Sequence, residues 1–152
     1  MPNTYTQIYI QTVFTVQNKL SLIELEWQEE LYKYITGIIT NEGQKLLAIN
    51  GMQDHIHILI GLKPTVALSN VVRDIKANSS KFINEQRFIA GKFEWQQGFG
   101  AFSYSHSQIP VIAKYIENQE EHHKRQSFRE EYLGFLKLFN VDYKEEFVFE
   151  EI

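Results

Sequence analysis

His55 and His57 are the residues best placed to do chemistry. They stand two apart in the run Gln53-Asp54-His55-Ile56-His57-Ile58-Leu59-Ile60, which alternates as a β-strand does. Positions i and i+2 of a strand share a face, so the two imidazoles are expected side by side, roughly 7 Å apart between α-carbons. At that spacing they can bind one divalent metal ion. Ile56, Ile58 and Ile60 would then point the other way, into a core. The competing reading is a pair of surface histidines on a half-buried strand, because a bare His-x-His arises often by chance.

A second group lies in Val111-Ile112-Ala113-Lys114-Tyr115-Ile116-Glu117-Asn118-Gln119. Read as a helix, this segment puts Tyr115 and Gln119 on one face, about 6 Å apart. If that face meets the histidine face, two imidazoles, an amide oxygen and a phenol gather at one spot. The first three can hold a metal and the phenol can be a nucleophile. Such a ligand set is neutral and leaves the ion its full charge, to polarise a phosphodiester and stabilise a departing oxygen. Imidazole favours Mn2+ over Mg2+, while cellular abundance favours Mg2+. The competing reading of Tyr115 is an ordinary core tyrosine, one of eight in the chain.

The elements that must position these groups follow from the patterning. Residues 4–15 alternate and form a first strand, with Ile8, Ile10 and Val13 as core. Ser21 and Glu24 make a capping box for a helix carrying Leu25, Leu31, Ile35, Ile38 and Ile39, ended near Gly43. A short strand over 45–50 leads through Asn50-Gly51, a hairpin signal, into the His-x-His strand. Leu68, Val71, Val72, Ile75, Phe82 and Ile83 mark a long amphipathic helix, with Arg73, Lys76, Ser80, Asn84 and Arg87 on its other face. That stripe reads as a solvated face by default. Residues 93–105 form a strand with a glycine bend at Gly98 and Gly100. Ser107 caps the next helix, which runs to about His123, with Pro110 in its first turn. Ser127-x-x-Glu130 opens a last helix with Leu133, Leu136 and Phe139, and the tail over 143–152 is an edge strand or a strap. The order strand–helix–strand–strand–helix–strand, then helices, is that of an α+β, ferredoxin-like sandwich with an antiparallel sheet and extra C-terminal helices. One domain over 1–152 is expected.

Composition narrows the function classes. The chain has 152 residues, enough for a full core, and no apolar run able to span a bilayer. No basic segment followed by an apolar block opens it, so no secretion signal is read. Cysteine is absent, which excludes disulfides, thiolate nucleophiles and cysteine zinc sites and fits the cytoplasm. The net charge of −4 argues weakly against nucleic acid. Its distribution matters more, since acid concentrates between Glu117 and Glu131 and in the tail, while 73–92 is net basic.

The motifs taken together resemble the small single-strand tyrosine transposases of the HUH nuclease superfamily, of the insertion-sequence and REP-associated kind. The resemblance is carried by Met52-Gln53-Asp54-His55-Ile56-His57-Ile58-Leu59, by Asp74-Ile75-Lys76 with Ser79-Ser80, by Trp95-Gln96-Gln97-Gly98-Phe99-Gly100-Ala101-Phe102-Ser103, and by the segment from Tyr115 to His123. It covers nearly the whole chain in order and spacing. It implies an RNA-recognition-like fold and a DNA strand transferase that depends on Mg2+ or Mn2+. His55 and His57 match the metal-binding pair, Gln119 the third ligand, and Tyr115 the nucleophile that forms a 5′-phosphotyrosine link. It further implies single-stranded DNA with hairpin ends as substrate, a homodimer, and no nucleotide cofactor. Arg73 and Lys76 are then expected to face phosphates, and Trp95, Phe99 and Phe102 either stack on bases or fill the core. Gln11 stands where relatives often carry histidine, and the segment after Phe14 has few basic residues. Both departures bear on how a hairpin is gripped. His122 and His123 are read as structural or solvent-facing, and His106 is unassigned.

Readings from other classes remain open. A non-catalytic hairpin-binding module derived from such a transposase would bind DNA by shape with no covalent product. A metallohydrolase using metal-bound water would keep turning over without Tyr115 and would call for more carboxylate or histidine ligands.

Overall fold

A computed structural model describes residues 3–150. Its sheet has four strands in the order β2-β3-β1-β4. These are β1 (Tyr9–Thr15), β2 (Lys45–Gly51), β3 (His55–Gly61) and β4 (Gly100–Tyr104), and every neighbouring pair is antiparallel. With helices α1 (Leu25–Asn41) and α2 (Leu68–Gln86) between them, this is the expected ferredoxin-like sandwich. Three further helices follow: α3 (Ile109–Glu117), α4 (Gln119–His123) and α5 (Phe128–Leu138).

Strand alternation divides the core between the two faces of the sheet. Ile56, Ile58 and Ile60 are fully buried with Leu31, Ile35 and Ile39 of α1 and Val71, Val72 and Ile75 of α2. The opposite face carries His55, His57 and Leu59. Leu59 joins Ala48 and Ile116 in a separate small cluster that seats α3 on the sheet. This face is covered as well: His55 and His57 are both 0% exposed. The half-buried strand of surface histidines is therefore not what forms.

Two glycines set the distances on which the site depends. At Gly51 a Cβ would lie 2.1 Å from the carbonyl oxygen of His55, so only glycine lets β2 turn this closely into β3. At Gly100 a Cβ would meet Cε1 of Tyr132 at 2.6 Å, so glycine lets α5 lie directly on β4. Phe102 and Phe135 stack at 5.1 Å between ring centroids where these elements meet.

Several boundaries differ from expectation. The first helix starts at Leu25, and Ser21 closes a preceding 3-10 turn instead of capping it. Leu25 is exposed, and Trp27 takes the core position in the first turn. The segment read as a strand over 93–105 is regular only from Gly100. Ahead of that, Trp95 makes one isolated bridge with Val16 and donates its indole N–H to the buried Ser79 hydroxyl (3.0 Å). The helix expected to run to His123 breaks at Asn118, whose φ/ψ of −96°/27° separate α3 from α4. Ser127 does cap α5, accepting from the Glu130 backbone N–H at 3.2 Å. The tail forms a strap. Val148 and Phe149 are buried, and the Glu150 backbone bonds both ways with the Gln96 amide (3.0 Å each). Glu151 and Ile152, the end of that tail, lie outside the described residues.

Candidate metal and tyrosine centre

The histidine face of β3 is roofed by α4 and α5, and one carboxylate stands at the middle. Glu131 enters from the first turn of α5, with its side chain 2% exposed. His57 Nε2 lies 3.0 Å from Glu131 Oε1, and His55 Nε2 lies 3.5 Å from the same oxygen. His55, His57 and Glu131 each bring a ligand-type atom within 4.8 Å of the others, and all three are buried. His55 Nε2 is also 3.0 Å from Gln119 Oε1. Imidazole, carboxylate and amide oxygen converging in a buried space fit a divalent cation, with a carboxylate in a set expected to be neutral.

The outer nitrogens of both rings are held. His55 Nδ1 donates to Asp54 Oδ1 at 2.6 Å, and His57 Nδ1 lies 2.7 Å from Gln11 Oε1. Partners of this kind orient ligand imidazoles and raise their basicity. Gln11, noted in the sequence as a departure, thus belongs to the support of the centre.

The nucleophile candidate arrives from α3. That helix is pinned at its end by Asn50, whose Nδ2 donates to the Glu117 carbonyl at 2.9 Å. The Tyr115 hydroxyl donates a very short hydrogen bond to Glu131 Oε2. Gln119 Nε2 donates to the same oxygen at 3.2 Å. Tyr115 and Gln119 therefore reach the centre together, although α3 ends between them.

His123 joins the cluster, against the expectation of a structural or solvent-facing role. Its side chain is 8% exposed, and Nε2 lies 3.1 Å from both Gln119 Oε1 and Glu131 Oε1. His122 stacks on the Tyr115 ring at 4.2 Å.

The electrostatics follow from this packing. Burial opposes a charge on His55, but its hydrogen bonds to the Asp54 and Glu131 carboxylates outweigh it and push the ring up to about 9. Burial pulls His57 down, against the pull of Glu131. Burial alone would raise Glu131, yet the hydrogen bonds from His123, His55 and His57 hold it well below the carboxylate range. Tyr115 is pushed far above the ordinary phenol range, first by burial and then by the hydrogen bond and charge of Glu131. The centre is thus a buried carboxylate shared by three histidine rings and a phenol.

Arg73 and Lys76 lie on α2, on the sheet face away from the histidines. Arg73 is exposed and pairs with Asp74 (3.2 Å). Lys76 is placed differently from a phosphate contact. Its ammonium donates to the carbonyls of Gln96 (2.8 Å) and Gly98 (2.5 Å) and sits 5.1 Å from the Phe14 ring centroid. Burial lowers it to about 8. Trp95 and Phe102 are core residues, 8% and 3% exposed, and Phe99 packs half-buried against the same core.

Fold and site together define a class: an antiparallel α+β sandwich with a buried His-His-carboxylate centre and a tyrosine delivered to it by a following helix. Residues 4–119 match the family model described as "Transposase IS200 like". The chain belongs to that family, the IS200-like transposases. The fold is shared with a solved putative transposase from Deinococcus radiodurans R1 (TM-score 0.61, 20% identity, 78% of this chain and 95% of that one). It is shared also with a REP-associated tyrosine transposase solved bound to a REP hairpin (TM-score 0.61, 15% identity, 81% of this chain and 73% of that one). No curated protein matches the chain. Glu131 and α5 lie beyond the residues that the family model covers.

Among the described residues no helix is long and apolar enough to cross a membrane.

Proposed function

We propose that this transposase cuts and rejoins single-stranded DNA through a covalent link on Tyr115. The observation that carries the reading is the meeting of the Tyr115 hydroxyl with the two histidines on one buried carboxylate, Glu131. His55, His57 and Glu131 would hold a divalent ion, Mg2+ or Mn2+, with Gln119 beside them. When bound, such an ion supplies positive charge that offsets charge on the scissile phosphate.

The chain's own groups do the rest. The Tyr115 oxygen attacks phosphorus, and its proton passes to Glu131 Oε2, the acceptor it already faces. The bond from phosphorus to the 3′ oxygen breaks. This leaves a 5′-phosphotyrosine, and the departing strand becomes a free 3′-hydroxyl on taking a proton from solvent. In the reverse direction a 3′-hydroxyl attacks the phosphotyrosine and the phenol recovers its proton from Glu131. Bond energy is kept in the phosphotyrosine, so no nucleotide cofactor is required. Asp54 and Gln11 orient the rings, and Gln119 holds Glu131 Oε2 in place.

The substrate we infer is single-stranded DNA with hairpin ends, whose flexible backbone can bend into a site roofed by helices. A cytoplasmic location is proposed along with that substrate. Arg73 is exposed and proposed to meet phosphates away from the centre, whereas Lys76 organises the 96–98 turn. A homodimer is proposed, with Val111 on α3 and Leu138 on α5 among the exposed apolar residues available to it. One domain is proposed for the whole chain.

The test uses labelled single-stranded DNA from the flanks of the gene, with Mn2+. A denaturation-resistant protein–DNA adduct is expected, and Tyr115→Phe is expected to abolish it. An undiminished adduct in Tyr115→Phe would remove Tyr115 from the reaction. Hairpin binding with no adduct from the wild-type chain would favour the non-catalytic binding module.

A further inference from the structure

The centre meets the surface at a groove between α3 and α5. Its volume is about 290 Å³, and both Tyr115 and Glu131 line it. His55, His57 and Gln119 are 0% exposed, whereas Tyr115 is half-buried. A strand entering the site must bring its phosphate to the Tyr115 oxygen. The nucleotide beside that phosphate then has to lie where the phenol reaches solvent.

The lining of the groove matches a nucleobase. Ile112 of α3 and Phe135 and Leu138 of α5 give it apolar walls, and the exposed Gln126 adds an amide. A base has the same make-up, with apolar faces and an edge of hydrogen-bond donors and acceptors. The volume stands at the foot of the range for small-molecule pockets, about 300–1,000 Å³, which suits one base with part of its sugar.

Gly134 is the member of the groove that packing does not explain. It stands inside α5, where glycine is the poorest helix former after proline. Its backbone is helical, so no left-handed turn requires it. No close approach requires it either, because nothing lies within 4 Å of the place its Cβ would take. Glu131, Gly134 and Leu138 follow one another along one stripe of the helix. The missing side chain therefore keeps space open between the carboxylate and the surface.

We propose that this groove holds the unpaired nucleobase next to the scissile phosphate, and that Gly134 is the specificity-determining position that leaves room for it. The inference rests on the strand-transfer reading above. A second subunit is the other occupant that apolar walls could take. The base is favoured because the groove contains the attacking phenol and its acceptor, and a subunit filling it would bar the substrate.

The test compares wild type with Gly134→Leu, whose added Cβ meets open space and whose side chain fills the groove. Leucine favours a helix, so the thermal midpoint is expected to equal that of wild type or exceed it. The DNA is labelled single-stranded sequence from the flanks of the gene, carrying one abasic site moved along it a position at a time. Affinity is read by fluorescence anisotropy with a chelator present, and adduct formation is read with Mn2+. In wild type one abasic position is expected to cost about 5–150-fold in affinity, the size of one lost base contact. Gly134→Leu is expected to lose a similar factor on intact DNA and nothing further at that position, with Mn2+ affinity unchanged. 5-Iodouracil placed there is expected to crosslink wild type at the peptides carrying Tyr115 or Phe135, a readout that stands even if the variant does not fold. Undiminished DNA affinity in folded Gly134→Leu overturns the base site, as does a crosslink mapping elsewhere. An altered oligomeric state in Gly134→Leu with unchanged DNA affinity gives the groove to a second subunit and overturns it too. If wild type shows the sensitive abasic position and the crosslink but forms no adduct, the tyrosine chemistry fails and the base site stands. If the adduct forms and no abasic position matters, the base site alone fails.

Discussion

Replacing Glu131 with glutamine is expected to weaken both the empty centre and its hold on a metal. The carboxylate accepts from His57 and His123 at 3.0 and 3.1 Å on one oxygen, and from Gln119 at 3.2 Å and Tyr115 on the other. Every neighbour is a donor. A glutamine has one acceptor end and one donor end, so either orientation sets an N–H2 group against donors. At least one buried donor then loses its partner, at about 1–3 kcal/mol. The imidazolium of His55 also loses the charge that faces it at 3.5 Å. Breaking a buried charge pair from one side typically costs about 3–5 kcal/mol in all.

For a chain of this size 1 kcal/mol moves the midpoint by roughly 2–4 °C. The expected fall is therefore about 6–20 °C, measured by thermal denaturation with a chelator present. Mn2+ affinity, followed by calorimetry, is expected to drop tenfold or more, because one ligand oxygen is lost. Equal melting within about 2 °C and equal Mn2+ affinity would refute the placing of Glu131 at the centre of the network. A lower midpoint with unchanged Mn2+ affinity would leave it a structural role and remove it from the ligand set.

Asp54→Asn replaces the fixed acceptor of His55, and Mn2+ affinity is expected to fall about 10–100-fold while circular dichroism stays native. Gly51→Ala puts a Cβ 2.1 Å from the His55 carbonyl oxygen, so a stability loss of roughly 1–3 kcal/mol in urea is expected, with weakened Mn2+ binding because His55 itself must move. His55 is held at about 9 in the folded chain against an unfolded value of 6.5, so its stabilisation is complete below pH 6.5 and lost as pH rises through about 9, on the order of 3 kcal/mol. That loss is read as the difference between wild type and His55→Gln, without metal, at pH 6 and 9.5, because Lys76, lowered to about 8, acts in the opposite sense over part of the window.

The parts of the site legible in the sequence are those with local periodicity. His55 and His57 follow from strand alternation alone, and their shared face is what forms. Tyr115 and Gln119 follow from helical spacing, and both reach the centre even though Asn118 breaks the helix between them. The element order led to the ferredoxin-like sheet. What escaped depends on how α5 folds back over the sheet, which no local pattern encodes. Glu131 sits among acidic neighbours next to a capping box, and in that company reads as solvated. Its signal was positional: Phe128, Glu131, Tyr132, Phe135 and Leu136 occupy one helical stripe, and a lone carboxylate on an apolar stripe has to be paired or bound. Gln11 carried a similar mark, a polar residue sharing the inward face of β1 with Val13. His123 stands one helical turn after Gln119, on the same side of α4.

These observations make α5 part of the candidate centre. His55 and His57 on the sheet lie within the residues matched by the family, and so do Tyr115 and Gln119. The carboxylate that faces both histidines comes from outside that span. Without Glu131 the buried His55 ring would keep only Asp54 as a facing carboxylate, and the Tyr115 phenol would lose the buried acceptor it faces. In the proposed reaction the same carboxylate would serve both as a ligand and as the acceptor of the Tyr115 proton. A truncation after His123 therefore removes more than a packing element: it takes away the carboxylate that faces the two histidines and accepts from the tyrosine.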